Sequence, residues 1–199
     1  MRKIIASTFL SLDGILQGPG GPEEDLSRNF KYCGWTVPYF DEFLGEIMAE
    51  QMKQPFSLLL GRLTYDIFAA HWPRHAEEWS GINESTKYVV SNQDLELRWQ
   101  NSIQLKGNII TEIKKLKSEN DPDLYVYGSG QLVQTLFQYD LIDELWLKIF
   151  PITLGSGKRL FAEGTLPAQY KLEQSKITPK GVIVVNYVRD GKVKIGDFS

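Results

Sequence analysis

Hydrophobic residues along this chain fall into short continuous runs that alternate with stretches at helical spacing. The continuous runs end in turn residues and predict buried strands at 3–12, 57–60, 87–91, 124–127 and 143–150. Apolar positions recur every three or four residues, which predicts helices, at 40–52, 63–70, 109–117 and 132–137. Near the end, residues 170–178 and 182–189 flank Pro179-Lys180-Gly181 and predict a hairpin.

This order of elements defines a fold class. Strands that alternate with helices and finish in an antiparallel pair predict an α/β protein with three α/β/α layers. The central sheet is expected to be mixed and mostly parallel, with a C-terminal antiparallel hairpin. No linker divides the chain, so residues 1–199 are expected to form one domain. One long loop interrupts the pattern, because residues 17–38 contain seven glycines and prolines. A loop of this length is usually functional or mobile.

Composition narrows the class of protein. The chain has 199 residues, of which 42% are hydrophobic, and a net charge of −3. This composition is typical of a soluble globular protein. The net negative charge argues against non-specific electrostatic binding to nucleic acid or anionic membranes. The single cysteine, Cys33, cannot form an internal disulfide, and no apolar run approaches the roughly 20 residues of a membrane span. With no secretory signal pattern at the start, we expect a cytoplasmic protein.

Two turns between a strand and a helix are suited to anions. Gly128-Ser129-Gly130 follows one predicted strand, and glycines let the backbone approach a phosphate at a helix N-terminus. The dinucleotide pattern G-x-G-x-x-G is incomplete here, since Val133 occupies the third glycine position, and a turn without a ligand is the alternative. The second turn, Gly61-Arg62-Leu63-Thr64, adds a guanidinium suited to a phosphate monoester. Two such turns in one sheet suit a dinucleotide.

Other candidate residues leave alternatives open. Asp13 follows the first strand and could face a substrate, position the long loop or form an Asp-Gly turn. Phe40 and Phe43 belong to the core or to the wall of a pocket for a ring-shaped substrate. His71 and His75 are four residues apart, but Pro73 and the lack of a nearby ligand set argue against a metal site.

These residues together resemble a known superfamily. The motifs are Ser11-Leu12-Asp13-Gly14, Gly61-Arg62-Leu63-Thr64-Tyr65, and the segments 125–132, 141–147 and 151–157. In order and spacing they resemble the dihydrofolate reductase-like superfamily. Within it, the chain is most similar to the C-terminal reductase domain of bifunctional riboflavin-biosynthesis proteins and its stand-alone bacterial relatives. The resemblance extends from residue 3 to about residue 189.

The resemblance implies NADPH as cofactor and hydride transfer to a small pterin- or pyrimidine-like heterocycle, as in 5-amino-6-(5-phosphoribosylamino)uracil reductase. By position, Arg62 and Thr64, with Gly61, would hold the 2′-phosphate side, and Ser91 would lie near the same end. The pyrophosphate would be cradled by Gly128, Ser129, Gly130, Gln131 and Leu132. The loop beyond Asp13 would close over the nicotinamide. Asp13 is the candidate catalytic residue, and the candidate substrate-binding residues are Asp13, Phe40, Phe43 and Tyr127.

The chain also departs from its relatives. The riboflavin reductases carry a lysine in the first strand where this chain has Ser7, and an acidic residue before the glycine turn where it has Tyr127. Dihydrofolate reductase places a buried acidic residue on its first helix, for which Asp41, Glu42 and Glu46 are candidates. The substrate therefore stays open, and so does the proton donor, which could be Asp13, Tyr127 or water.

Two alternative functions and one assembly state follow. The chain could be a dihydrofolate reductase, or a nucleotide-binding protein of the same fold without turnover. Relatives of this fold commonly pair, and the apolar strand 145–150 with the terminal hairpin offers a surface for pairing. We therefore expect a homodimer.

Overall fold

A computed structural model describes residues 1–198, and its main feature is one eight-stranded sheet. The strands are β1 (Ile4–Ser11), β2 (Phe56–Gly61), β3 (Lys87–Val90), β4 (Ser102–Leu105), β5 (Asp123–Tyr127), β6 (Glu144–Phe150), β7 (Tyr170–Ile177) and β8 (Ile183–Arg189). The helices are α1 (Glu42–Gln51), α2 (Arg62–His71), α3 (Ile109–Ser118) and α4 (Gly130–Gln138). The strand order is β4-β3-β2-β5-β1-β6-β8-β7.

The sheet is mixed, and the predicted fold class is confirmed. The six neighbouring strands β4, β3, β2, β5, β1 and β6 pair in parallel. Strand β8 runs antiparallel to both of its neighbours, β6 and β7. Alternate residues of β1 pack in different clusters, since Ile4 lies with residues of α3 and α4, and Ile5 lies with Tyr65 of α2. Helix α1 packs through Leu44 against Phe150 of β6. The helices thus cover both faces of the sheet.

One strand, β4, was not predicted from the hydrophobic pattern of the sequence. Strand β4 pairs in parallel with β3 at the edge of the sheet and spans only four residues. Ile103 is largely exposed and only Leu105 is buried, so the strand lacks the continuous apolar run that marks β1 and β2. The other predicted strands and helices are present, with ends that differ by a few residues.

The expected pairing surface needs correction. Strand β6 is bonded on both edges, to β1 and to β8, and Leu145, Leu147 and Phe150 are buried. It therefore offers no free surface. The hairpin remains, because β7 is the edge strand and most of its side chains are exposed.

The long loop is tied down by hydrogen bonds. The indole of the buried Trp35 donates to the carbonyl of Gln17 at 2.8 Å. The Gln17 side chain in turn bonds the carbonyls of Asp25 and Ser27, and Lys158 forms an ion pair with Asp25 at 2.6 Å. The loop is thus anchored on the segment that follows β6.

Within residues 1–198, no helix has the length and apolar character needed to cross a membrane.

Candidate functional site

Strands β1 and β5 separate at the edge where the parallel strands end, and we call the space between them the cleft. Pairing between β1 and β5 stops at Ser7 opposite Tyr127, while β1 continues along β6 as far as Ser11 opposite Phe150. The chain leaves β5 directly into the turn Gly128-Ser129-Gly130. In open α/β sheets, ligands bind at this kind of separation between neighbouring strands.

The two predicted anion turns lie side by side and are bonded to each other. The Gly61 amide donates to Ser129 Oγ at 3.0 Å, and the Ser129 amide donates to Thr64 Oγ1 at 3.0 Å. Gly128 has a φ of +54°, and a Cβ there would lie 3.3 Å from Thr64 Oγ1. Glycine is therefore favoured at this position, because a side chain would be strained by the positive φ and would crowd Thr64. Ser129 and Thr64 join the two turns into one unit.

The helices that start at these turns lack side-chain caps. Helix α1 is capped by Asp41, which accepts from the Leu44 amide at 2.8 Å, and α3 is capped by Asn108. Helix α2 begins after Gly61 and α4 after Ser129, and neither has a side-chain cap. The first amides of α4, those of Gly130, Gln131 and Leu132, lie at the positive end of the helix dipole. Both N-termini can receive an anion.

Arg62 and Ser91 belong to one hydrogen-bonded group beyond the turns. The half-exposed Arg62 guanidinium donates to the Gln93 side chain and lies 3.5 Å from the Asp66 carboxylate. The backbone amide of Gln93 donates to Ser91 Oγ at 3.2 Å. The structure thus places Arg62 and Ser91 near each other through Gln93, and their role in binding the 2′-phosphate side of a cofactor stays a prediction. Gln93 and Asp66 were missed, because neither belongs to a recognisable motif.

Asp13 uses its carboxylate to hold the segment after β6. It accepts from Ser11 Oγ at 2.6 Å and from the amides of Leu154 at 3.1 Å and Gly155 at 2.8 Å. Burial alone would raise the pKa of Asp13, but these hydrogen bonds to the charged form lower it. This is the geometry of a residue that positions loops, which was one of the three alternatives. Its catalytic role stays a prediction.

The aromatic candidates divide between core and surface. Phe40 and Phe43 are 38% and 39% exposed, so neither is a core residue. The Phe40 ring meets Phe9 of β1 edge-on, with the ring centroids 6.0 Å apart. Both rings are therefore available to a ligand near α1. Tyr127 is half-buried and its ring packs against Trp79, 5.0 Å between centroids.

Helix α1 provides no buried carboxylate. Asp41 caps the helix and also accepts from the Lys180 amide, while Glu42 and Glu46 are exposed. The carboxylate expected of a dihydrofolate reductase is therefore not formed by any of the three candidates. Elsewhere in residues 1–198, no three histidine, cysteine or acidic side chains come together as metal ligands, and His71 and His75 stack on each other.

A buried lysine beside Ser7 was not predicted as a site residue. Lys148 of β6 is 2% exposed, and its Nζ donates to Ser7 Oγ at 2.8 Å. Tyr127 of β5 lies directly opposite Ser7 in the pairing of β1 with β5, and Ser7 acts on the Tyr127 hydroxyl. Burial lowers the pKa of Lys148 to about 7 and raises the pKa of Tyr127. The available sequence signal was a lysine within the apolar run Leu145-Trp146-Leu147-Lys148-Ile149-Phe150.

Comparison with solved structures defines the class as the dihydrofolate reductase-like fold. Dihydrofolate reductase from Enterococcus faecalis, complexed with NADP(H) and RAB-propyl, matches with a TM-score of 0.61 at 13% identity, over 94% of this chain and 96% of that one. A protein from Shewanella sp. PV-4 assigned to riboflavin biosynthesis matches with a TM-score of 0.66 at 24% identity, over 96% and 99%.

Within that class, the chain belongs to the RibD C-terminal domain family, which matches residues 2–184. Uncharacterized protein YyaP of Bacillus subtilis (strain 168) is 28% identical over 196 residues, which cover 96% of each chain. The resemblance found in the sequence motifs is therefore confirmed at the level of family and fold.

Proposed function

We propose that this protein is an NADPH-dependent reductase that transfers a hydride to a small pterin- or pyrimidine-like heterocycle. The family and the fold support an oxidoreductase. The observation that carries the proposal is the pair of uncapped helix N-termini on adjacent strands, joined through Ser129 and Thr64. Two anion sites at a fixed separation fit a ligand with two separate phosphate groups.

The pyrophosphate is assigned to the N-terminus of α4. Backbone amides of Gly130, Gln131 and Leu132 supply donors, and the bare backbone of Gly128 allows close approach. This local arrangement explains how a chain with a net charge of −3 can bind a strongly anionic ligand.

The 2′-phosphate is assigned to Arg62. A planar guanidinium bonds a phosphate monoester through two parallel donors, and Ser91 and Gln93 add polar groups beside it. The Asp66 carboxylate lies 3.5 Å from the same guanidinium. It must either move away when the phosphate binds or share the guanidinium with the phosphate. Removing Asp66 should therefore strengthen NADPH binding.

Bound reduced nicotinamide would supply the hydride, and the protein orients the two reactants. Asp13 fixes the loops that flank the cleft through Leu154 and Gly155. Phe40 and Phe43 offer exposed rings against which a flat heterocycle can stack.

The cofactor assignment is tested by thermal unfolding with NADPH and with NADH. Preferential stabilisation by NADPH is expected, because only NADPH carries the 2′-phosphate. Arg62→Ala should weaken NADPH binding about 10-fold or more and leave NADH binding nearly unchanged. Arg98→Ala is the matched control, since Arg98 is an exposed arginine paired with Glu96. Equal loss of both cofactors would contradict the assignment.

Turnover is tested by the absorbance of NADPH with dihydrofolate, 5-amino-6-(5-phosphoribosylamino)uracil and flavins. Oxidation with one of these acceptors identifies a reductase and its acceptor class. Tight NADPH binding with no oxidation in any of them would instead identify a nucleotide-binding protein without turnover.

We also infer a homodimer, formed through the terminal hairpin. Strand β7 leaves one edge unpaired, and Leu172, Ile177 and Ile183 of the hairpin are exposed apolar side chains. Light scattering after gel filtration tests this, and a monomer at micromolar concentration would contradict it.

A further inference from the structure

We propose that Tyr127, Ser7 and Lys148 form a proton relay to the acceptor of the hydride, with Lys148 as the proton source. The proposal rests on the proposed reductase function. The sequence motifs left the proton donor open. The relay supplies it through three side chains on the neighbouring strands β5, β1 and β6.

The relay lies where the apolar packing of one sheet face is interrupted. Along β1, Ser7 stands between Ile5 and Phe9, which belong to two different apolar clusters. Along β6, Lys148 stands in the same way between residues of those two clusters, Trp146 and Phe150. Polar side chains inside a sheet are costly unless they are paired or functional.

Lys148 has no structural partner that would explain its burial. Its Nζ makes one hydrogen bond, to Ser7 Oγ, and within residues 1–198 no carboxylate forms an ion pair with it. Lys87 is the contrasting case. Its ammonium donates to the carbonyls of Asn83 and Ser85 and lies 4.3 Å from the centre of the Trp99 ring. Lys87 is thus satisfied by its surroundings, and Lys148 is not.

The groups that face Lys148 are few and mostly uncharged. Ser7 and Phe9 lie beside it on β1, and Val184 lies opposite it on β8. Helix α1 contributes the apolar Leu44 and Ile47 to the same cluster. The titratable side chains around Lys148 are Tyr127, which lies opposite Ser7, and Cys33 and Tyr39, which pack against the same apolar cluster from the long loop. The charge of Lys148 is therefore set by burial and by what binds next to the relay.

Tyr127 connects the relay to the proposed cofactor site. It is the last residue of β5 and directly precedes Gly128 of the phosphate turn. It is half-buried, whereas Ser7 and Lys148 are closed off from solvent. Of the three relay residues, Tyr127 is therefore the one that adjoins the phosphate turn and has exposed surface.

The chemistry balances with one hydride and one proton. When bound, a reduced nicotinamide dinucleotide would supply the hydride to the carbon of a C=N or C=O group of the acceptor and would be oxidised in doing so. The Tyr127 hydroxyl gives its proton to the nitrogen or oxygen of that group as the double bond is reduced. Tyr127 takes a proton from Ser7, and Ser7 takes one from the Lys148 ammonium. After the product leaves, solvent at the cleft returns a proton to Tyr127, and Ser7 passes a proton back to the neutral Lys148 amine. Because burial lowers the pKa of Lys148 to about 7, this proton is available near neutral pH.

The test measures NADPH oxidation by the acceptors named above, using the whole protein and the variants Lys148→Met, Ser7→Ala and Tyr127→Phe. Each variant should lower kcat/KM at pH 7 by about 100-fold or more, with NADPH affinity changed less than about 2-fold. The wild-type rate should fall as pH rises through 7, because Lys148 loses its proton. In Lys148→Met this pH limb should be absent.

Lys87→Met is the matched control, since it also removes a buried ammonium and lies outside the relay. It should change stability and leave the pH profile intact. Relay variants that bind NADPH and keep the wild-type rate and pH limb would overturn the relay but not the reductase. Oxidation with none of the acceptors in the wild type would refute the reductase, and the relay with it.

Discussion

Replacing Lys148 by methionine should stabilise the protein, and by an amount that depends on pH. Burial lowers the pKa of Lys148 from 10.5 to about 7 in the folded state. Below pH 7, both folded and unfolded chains carry the proton, and the full cost of the buried charge is present. Between pH 7 and 10.5, only the unfolded chain holds the proton, so stability rises with pH. Above 10.5 the cost is gone.

The size of the effect follows from the pKa difference. At about 1.4 kcal/mol per pKa unit, the wild type should gain about 3 to 4 kcal/mol relative to Lys148→Met between pH 7 and pH 10. At pH 7 itself, Lys148→Met should be more stable than the wild type by about 1 to 4 kcal/mol, because an unpaired buried ammonium is replaced by an apolar chain of similar length.

The assay is urea unfolding of both proteins at pH 7, 8, 9 and 10, followed by tryptophan fluorescence. Comparing the two proteins at each pH removes the contribution of every other titrating group. Lys87→Met should behave oppositely at pH 7 and lose stability, because it removes two hydrogen bonds and a contact with Trp99. A difference between wild type and Lys148→Met that does not change with pH would refute the reasoning.

Three further predictions concern the loops and caps around the site. Gly128→Ala should cost about 1 to 2 kcal/mol in urea unfolding and weaken NADPH binding, because its φ is positive and Thr64 is close; unchanged binding would contradict the cradle. Asp13→Asn should cost about 1 to 3 kcal/mol at pH 7. That difference should vanish as pH falls below about 4, since the pKa of Asp13 is lowered on folding and its contribution is lost on protonation; a constant difference would argue against it. Asn108→Ala should cost about 1 kcal/mol through loss of the α3 cap and leave NADPH affinity unchanged, and a weaker affinity would argue against a purely structural cap.

Features carried by local sequence were predictable. The strands β1 and β5, the two glycine turns and the helices after them follow from apolar spacing and from the positions of Gly61 and Gly128. The short strand β4 has neither signal, because its neighbours in the sheet and not its own composition hold it in place. Short edge strands are for this reason the hardest elements to predict from a pattern.

Features set by long-range register were not predictable. Lys148 meets Ser7 across 141 residues, and Asp13 meets Leu154 across the same separation. Each contact depends on the pairing register of β1 with β6, which the hydrophobic pattern of either strand leaves undetermined. The sequence therefore left three roles open for Asp13, and only the long-range contacts of its carboxylate with loop amides show that it positions a loop.

In the proposed dinucleotide site, the reciprocal bonds between the turns at Gly61 and Ser129 would have a consequence for selectivity among nucleotides. Because the two N-termini are bonded to each other, their separation is fixed. A ligand bound at one N-terminus therefore presents its second phosphate to the other at a high effective concentration. A mononucleotide occupies one turn and loses this advantage, whereas a dinucleotide of matching span occupies both. Weakening the link with Ser129→Ala, which removes the Gly61 bond, should therefore narrow the affinity gap between NADPH and 5′-AMP, even though the serine side chain need not touch either ligand.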